Sequence, residues 1–262
     1  CNLTWLRELI IVLVALAVIN PLIVFAQSDK ILITLSDTMD QINFDGKWSF
    51  FTEWKRSSQE LFDNGNIVLR TAHQGDFIYV FIDNLSDITT DKKLDYAIIC
   101  FDGKNEKSSL SDDNDYCFMG IMRDKNGITY NGDSSLTFND SFRKIPNDIE
   151  FVAIGEKSDD NDRYSEVVHS SYEFKIPIKL IGRESSYGFY FSTYDSEQQK
   201  IFHWPESINS DKSYRIPSPS KWGELVSPDK SLPEFPLSIS VLVITMIMII
   251  VISRMKVDFI NK

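Results

Sequence analysis

Apolar and polar positions divide the chain into three parts. Residues 10–19 form an unbroken apolar run, followed by Asn20-Pro21 and a second short apolar stretch ending at Ala26. Residues 237–252 form another run with no charge. Between them lie short segments rich in β-branched and aromatic residues, at 31–35, 66–72, 77–83, 94–101, 116–122, 149–154, 172–176 and 187–194. Runs of this length and composition predict strands. Their separators carry turn chemistry, as in Asp102-Gly103, Asn126-Gly127 and Asn131-Gly132-Asp133. Gln74-Gly75-Asp76 predicts a hairpin between the second and third strands. No long segment repeats apolar residues at 3.6-residue spacing, and the best helical pieces are 53–61 and 177–180. About eight short strands at this spacing predict an all-β fold, an antiparallel β-sandwich of jelly-roll or immunoglobulin-like type.

The two ends predict targeting segments. Arg7 ahead of the apolar run, with Val24 and Ala26 before Gln27, describes a secretory signal peptide over 1–26, with an uncleaved anchor as the alternative. The sandwich then occupies 27–229, a linker 230–236, a transmembrane helix 237–253 and a basic tail 254–262. The apolar run lies near the lower limit for crossing a hydrocarbon layer. Arg254, Lys256 and Lys262 on its far side predict a cytoplasmic C-terminus, hence a single-pass, membrane-anchored cell-surface protein with its main domain outside. The segment Leu232-Pro233-Glu234-Phe235-Pro236, the apolar run and the basic end together resemble the PEF-type C-terminal sorting signals of archaeal surface proteins. Those signals usually carry Gly where Pro236 stands.

Charge sharpens this division. The whole chain of 262 residues carries −11, with 43% hydrophobic and 25% charged residues. Arg7 and Glu8 cancel in the leader, and the tail contributes +2, so the remainder carries −13. Such an acidic surface excludes a nucleic-acid partner, whose phosphates require a basic one. The 13% aromatic content excludes a disordered chain. Three cysteines are too few for a disulfide-stapled miniprotein. Cys1 falls in the leader, leaving Cys100 and Cys117 near the facing ends of two consecutive predicted strands. A hairpin there sets Phe101 against Tyr116 and Cys100 against Cys117, which permits a cross-strand disulfide; two buried free thiols are the alternative.

Several short motifs occur in a set order. Ile42-Asn43-Phe44-Asp45-Gly46-Lys47-Trp48 is followed by Glu53-Trp54, then Gly75-Asp76-Phe77-Ile78-Tyr79-Val80. Later come Tyr172-Glu173-Phe174-Lys175-Ile176-Pro177, Gly188-Phe189-Tyr190-Phe191, Trp204-Pro205 and Lys221-Trp222-Gly223. This order resembles the family 9 carbohydrate-binding-module-like domains, relatives of the DOMON sandwich, over about residues 40–225. The opening motif is stretched, with six residues, 47–52, standing between Gly46 and Glu53. The resemblance implies a sandwich that binds rather than reacts, with a glycan or cell-envelope polymer as partner and structural calcium as a frequent companion.

The residues themselves offer little catalytic chemistry. G-x-S-x-G, H-E-x-x-H, Walker and G-x-G-x-x-G motifs are absent, and His73, His169 and His203 lie far apart. The chain therefore reads as non-catalytic. Aromatic rings pack on the C–H faces of sugars, so Trp204, Trp54 and Tyr194, with Arg70 as a polar partner, are the ligand-binding candidates. For each of Trp48, Trp54, Trp204 and Trp222, packing in the core or at its edge is the alternative to ligand contact. Asp112-Asp113-Asn114-Asp115 offers clustered oxygens to Ca²⁺, the one cofactor nominated, and Asp159-Asp160-Asn161-Asp162 offers a weaker set. The reading is a surface-anchored, carbohydrate-binding-like module of an archaeal envelope. The alternatives are a structural or interaction protein of the envelope, and a DOMON-type haem domain using Met119, Met122 or a histidine.

Overall fold

The structure, a computed structural model, describes residues 29–89, 95–133, 141–206 and 216–227. The leader expected at 1–26 and the linker, helix and tail expected at 230–262 lie outside the described residues. The single-pass localisation is corrected: among the described residues no helix is long and apolar enough to cross a membrane.

Among the described residues fourteen strands form two sheets. In chain order they are β1 (Lys30–Leu32), β2 (Thr34–Leu35), β3 (Glu60–Phe62), β4 (Ile67–Gln74), β5 (Phe77–Asn84), β6 (Tyr96–Asp102) and β7 (Asp115–Ile121). They continue with β8 (Ile128–Gly132), β9 (Phe142–Ile145), β10 (Val152–Lys157), β11 (Ser170–Pro177), β12 (Ser186–Asp195), β13 (Lys200–Trp204) and β14 (Gly223–Val226). One sheet runs β1-β14-β12-β6-β7-β8-β9, with β13 also on β12; the other runs β10-β11-β5-β4-β2, with β3 also on β4. A single α-helical turn, α1 (Ile178–Ile181), follows β11.

The sandwich is not wholly antiparallel. β1 pairs parallel with β14, and β2 pairs parallel with β4. The cause is the 30–35 segment, which joins one sheet and then the other while both Ile31 and Ile33 point into the core. The helix expected at 53–61 is also absent. Glu53, Lys55 and Ser57 make only turn bonds three residues back, and Ser58 then pairs with Thr71. Here side-chain hydroxyls compete with helix bonds: Ser57 Oγ donates to Trp54 O, and Ser58 Oγ to Thr71 O.

Strand alternation explains the layering. Leu69, Ile78, Val80, Ile82, Ile99, Phe101, Phe118, Phe174, Phe189 and Phe191 point between the sheets and form the main core. The opposite face of the six-stranded sheet presents Ala72, Tyr79 and Phe81, which Met39, Ile42, Trp48 and Trp54 cover. The outer face of the eight-stranded sheet presents Ile98, Cys100, Cys117 and Tyr190, covered in part by Trp222. Strands apolar on both faces need such covers, because burial of each large side chain contributes about 1.5–3 kcal/mol.

Candidate functional site

The cover over the six-stranded sheet is built on a buried carboxylate. Glu173 of β11 is fully buried and accepts hydrogen bonds from Gly46 N (2.7 Å), Asp45 N (2.9 Å) and Trp54 Nε1 (3.0 Å). Burial pushes its carboxyl well above the usual carboxylate range, against the pull of those donors. Gly46 is required here: its φ is +88°, and a Cβ would sit 2.8 Å from Glu156. Glu53 accepts from Asn43 N (2.8 Å) and Ser49 N (2.6 Å), closing the same loop. The opening motif thus folds into a cap.

Two of the four sequence-nominated ligand residues meet in this cap. Trp54 stacks on Phe81 at 5.4 Å and has no exposed surface. Arg70 lies under the cap, donating to Tyr164 Oη (2.6 Å), Trp54 O (2.9 Å), Gln59 Oε1 (2.6 Å) and Ser57 O (3.2 Å). Its guanidinium also sits 5.3 Å from the Trp48 ring. Each of the three guanidinium nitrogens of Arg70 thus donates to protein.

Trp204 lies elsewhere, at the edge where the sheets part. Its ring packs on Phe189 (6.0 Å), Phe62 (6.2 Å) and Phe191 (6.3 Å). Gly223 makes room for it, since a Cβ there would meet the indole at 2.3 Å. The exposed margin of Trp204 lines an open groove of about 580 Å³. Leu61 and Phe62 of β3 complete an apolar wall, while Lys30, Glu60, Asp63 and Glu206 supply charge. Leu61 is 55% exposed, and burial raises the Glu60 carboxyl above its ordinary value. Lys200 pairs with Asp63 at 3.3 Å, and Lys30 with Glu224 at 3.1 Å. Glu60 and Leu61 escaped the sequence reading because 53–61 looked helical, and Phe62 and Glu206 because they fall outside every predicted strand; the alternation of Glu60, Leu61 and Phe62 was the available strand signal.

Tyr194 occupies a third place. It is half-buried on the outer face of the eight-stranded sheet, 5.2 Å from Tyr96. On the same face Tyr190 Oη lies 2.6 Å from His203 Nδ1, and buried His203 Nε2 has no protein partner. Burial depresses the His203 pKa. The Cys100–Cys117 disulfide crosses this face between β6 and β7, with Phe101 opposite Tyr116. Met122 packs in the main core, and Met119 is half-buried beside the disulfide.

The 112–115 turn is self-bonded: Asp115 Oδ2 accepts from Asp112 N (2.8 Å), and Asp112 Oδ1 from Asn114 N (3.0 Å). Asp115 Oδ1 is buried without a partner. Burial, with Asp102, Asp112 and Glu106 nearby, pushes the Asp115 carboxyl up to about 7 against the Asp112 N–H bond.

No protein-family model and no curated protein matches the chain. Among solved structures it is similar to a family 9 carbohydrate binding module from Caldicellulosiruptor kristjanssonii in complex with cellotriose. That match has 12% identity and a TM-score of 0.47, and covers 78% of this chain and 98% of that one. A family 9 module from the same organism in complex with glucose matches at 13% identity and a TM-score of 0.45, covering 76% and 95%.

Proposed function

We propose that the chain is a non-catalytic, carbohydrate-binding-like module whose glycan contacts are made in the edge groove. The observation that carries this reading is the groove's mixed wall. Trp204, Phe62 and exposed Leu61 line the same opening of about 580 Å³ as Lys30, Glu60, Asp63 and Glu206. A pyranose has the same division, with C–H faces that pack on apolar rings and hydroxyls that bond to charged rims. The ordered motifs of the sequence support the same reading. Trp204 is the ligand contact at the groove wall. Tyr194 is a contact on the outer sheet face, for a chain long enough to leave the groove. Trp54 and Arg70 act through the cap that fixes β4 beside β3, and reach a ligand only if that cap lifts. Calcium at Asp112, Asp113, Asn114 and Asp115 belongs to this reading, with the unpartnered Asp115 Oδ1 as one ligand. Calorimetric titration with Ca²⁺ tests it, and no heat at millimolar metal contradicts it.

The experiment for the main reading is a glycan array of β-glucans and envelope glycans, probed with the wild-type chain and with Trp204→Ala and Glu60→Gln. Reproducible binding by the wild type that falls at least about tenfold in Glu60→Gln, a loss of about 1.4 kcal/mol, is the expected result. Glu60→Gln keeps the fold-critical indole in place, so its loss of binding is not a loss of structure. No binding to any glycan, or binding unchanged in both variants, contradicts the proposal.

A further inference from the structure

One side-chain cluster plays no part in the groove or the cap bonds. Asp83 of β5, His169 just before β11 and Asp162 of the intervening loop come together on the outer side of the six-stranded sheet. One ligand atom from each lies within 4.8 Å of the others. All three side chains are fully buried. His169 Nδ1 lies 2.7 Å from Val167 O, an acceptor only, so Nδ1 carries the ring proton of the neutral form. His169 Nε2 then presents a lone pair 2.6 Å from Asp83 Oδ1 and 3.8 Å from Asp162 Oδ2.

The carboxylates are held in place but incompletely satisfied. Asp162 Oδ1 accepts from Tyr164 N (2.7 Å) and Ser165 N (3.0 Å), which fixes its other oxygen inward. Among the described residues, Asp162 Oδ2 and Asp83 Oδ2 are both buried with no hydrogen-bond partner. A single proton on His169 answers Asp83 Oδ1 and leaves both of those oxygens without a donor. It also leaves a net negative charge in a dry site, which is costly. A divalent cation with a neutral imidazole answers all three groups and brings the cluster to zero charge.

We propose that Asp83, Asp162 and His169 form a binding site for one borderline divalent cation such as Zn²⁺, which ties the loop between β10 and β11 to β5. One imidazole nitrogen and two carboxylates suit such an ion better than Ca²⁺, which prefers an all-oxygen shell. The His169 Nδ1–H bond to Val167 O supplies the orienting partner that metal-bound histidines ordinarily have.

The test uses the purified full chain, stripped with a chelator and titrated with Zn²⁺ by calorimetry, alongside Asp162→Asn and His169→Gln. Wild type is expected to bind one equivalent and to melt at a higher temperature with metal, as any ligand selective for the folded state requires. Asp162→Asn keeps the oxygen that bonds Tyr164 N and Ser165 N, so it is expected to fold and to bind at least about 100-fold more weakly, from loss of a direct ligand. Co²⁺ in place of Zn²⁺ is expected to show visible absorption bands that Asp162→Asn abolishes. Lack of saturable Zn²⁺ binding at about 100 µM overturns the proposal, since no ligand that weak would match a preformed three-residue site. Stoichiometric binding unchanged in Asp162→Asn and His169→Gln also overturns it, as does a site that takes Ca²⁺ and refuses Zn²⁺.

Discussion

Trp54 and Trp204 are both buried indoles on the rim of one sandwich, and their surroundings differ in a single respect. Around Trp54 every polar neighbour is answered by protein: Glu173 takes the indole N–H, and Arg70 spends its donors on Trp54 O, Ser57, Gln59 and Tyr164. Around Trp204 the neighbours form an open wall in which Leu61 is 55% exposed and Glu60 and Glu206 face the groove. A tryptophan in a closed polar network holds a fold together. A tryptophan at the margin of an opening with mixed walls is available to a ligand. The same residue type, nominated twice from sequence, sits in a closed network in one place and beside an opening in the other, and the proposed function assigns recognition to the second.

The largest effect expected from breaking this contrast is on the closed side. Trp54→Ala removes a fully buried indole and leaves Glu173 with one donor fewer, so it should lower the unfolding free energy by about 3–5 kcal/mol, read from urea unfolding. Glycan binding per folded molecule should be unchanged; a selective loss of binding with normal stability would erase the distinction between the two tryptophans. Next in size, opening the Cys100–Cys117 bridge, which joins residues 17 apart in sequence, should cost about 3 kcal/mol in the chain-entropy account. It acts between β6 and β7 on the outer face of the eight-stranded sheet, and should leave both the cap and the groove intact. A protein with two freely titrating thiols and no gel shift on reduction would contradict it.

Smaller effects probe the open side. Glu60→Gln should change stability by no more than about 0.5 kcal/mol, since a half-exposed side chain at an edge strand is replaced by a near isostere. A melt that collapses instead would move Glu60 from the ligand wall into the structural frame. The smallest expected effect concerns His203. Burial depresses its pKa from 6.5, so its neutral form stabilises the fold fully above about pH 6.5. That contribution is lost as pH falls from there through the depressed folded value, with a slope of at most about 1.4 kcal/mol per pH unit. His203→Gln should flatten this part of the stability profile. An unchanged slope would show that other groups set it.

The sequence resolved the strands far better than the sites. β4, β5, β6, β7, β11 and β12 stood out as continuous apolar runs because they are covered on both faces. β9 did not, since Arg143 and Lys144 are exposed and leave only two apolar positions. β3 was hidden by a helix-like pattern that serine hydroxyls and pairing with Thr71 override. Facing cysteines were legible because antiparallel register is fixed by a two-residue period. The nominated ligand residues were legible by type but not by address. Whether Trp54 faces a cap or Trp204 an opening depends on Glu173 and Gly223, each far away in the chain. The Asp83–Asp162–His169 cluster spans 86 positions, with no local spacing to announce it.

The most direct test of the divided roles is calorimetric titration of the strongest array glycan into three proteins: wild type, Glu60→Gln and Trp54→Phe. The phenylalanine retains a buried six-membered ring and removes the pyrrole portion together with the N–H that reaches Glu173. Trp54→Phe is expected to bind within about twofold of wild type, a difference near 0.4 kcal/mol, while melting at a lower temperature. Glu60→Gln is expected to melt with wild type and to lose at least about tenfold in affinity. The reverse pattern, with affinity lost in Trp54→Phe and kept in Glu60→Gln, would place recognition under the cap and contradict the account.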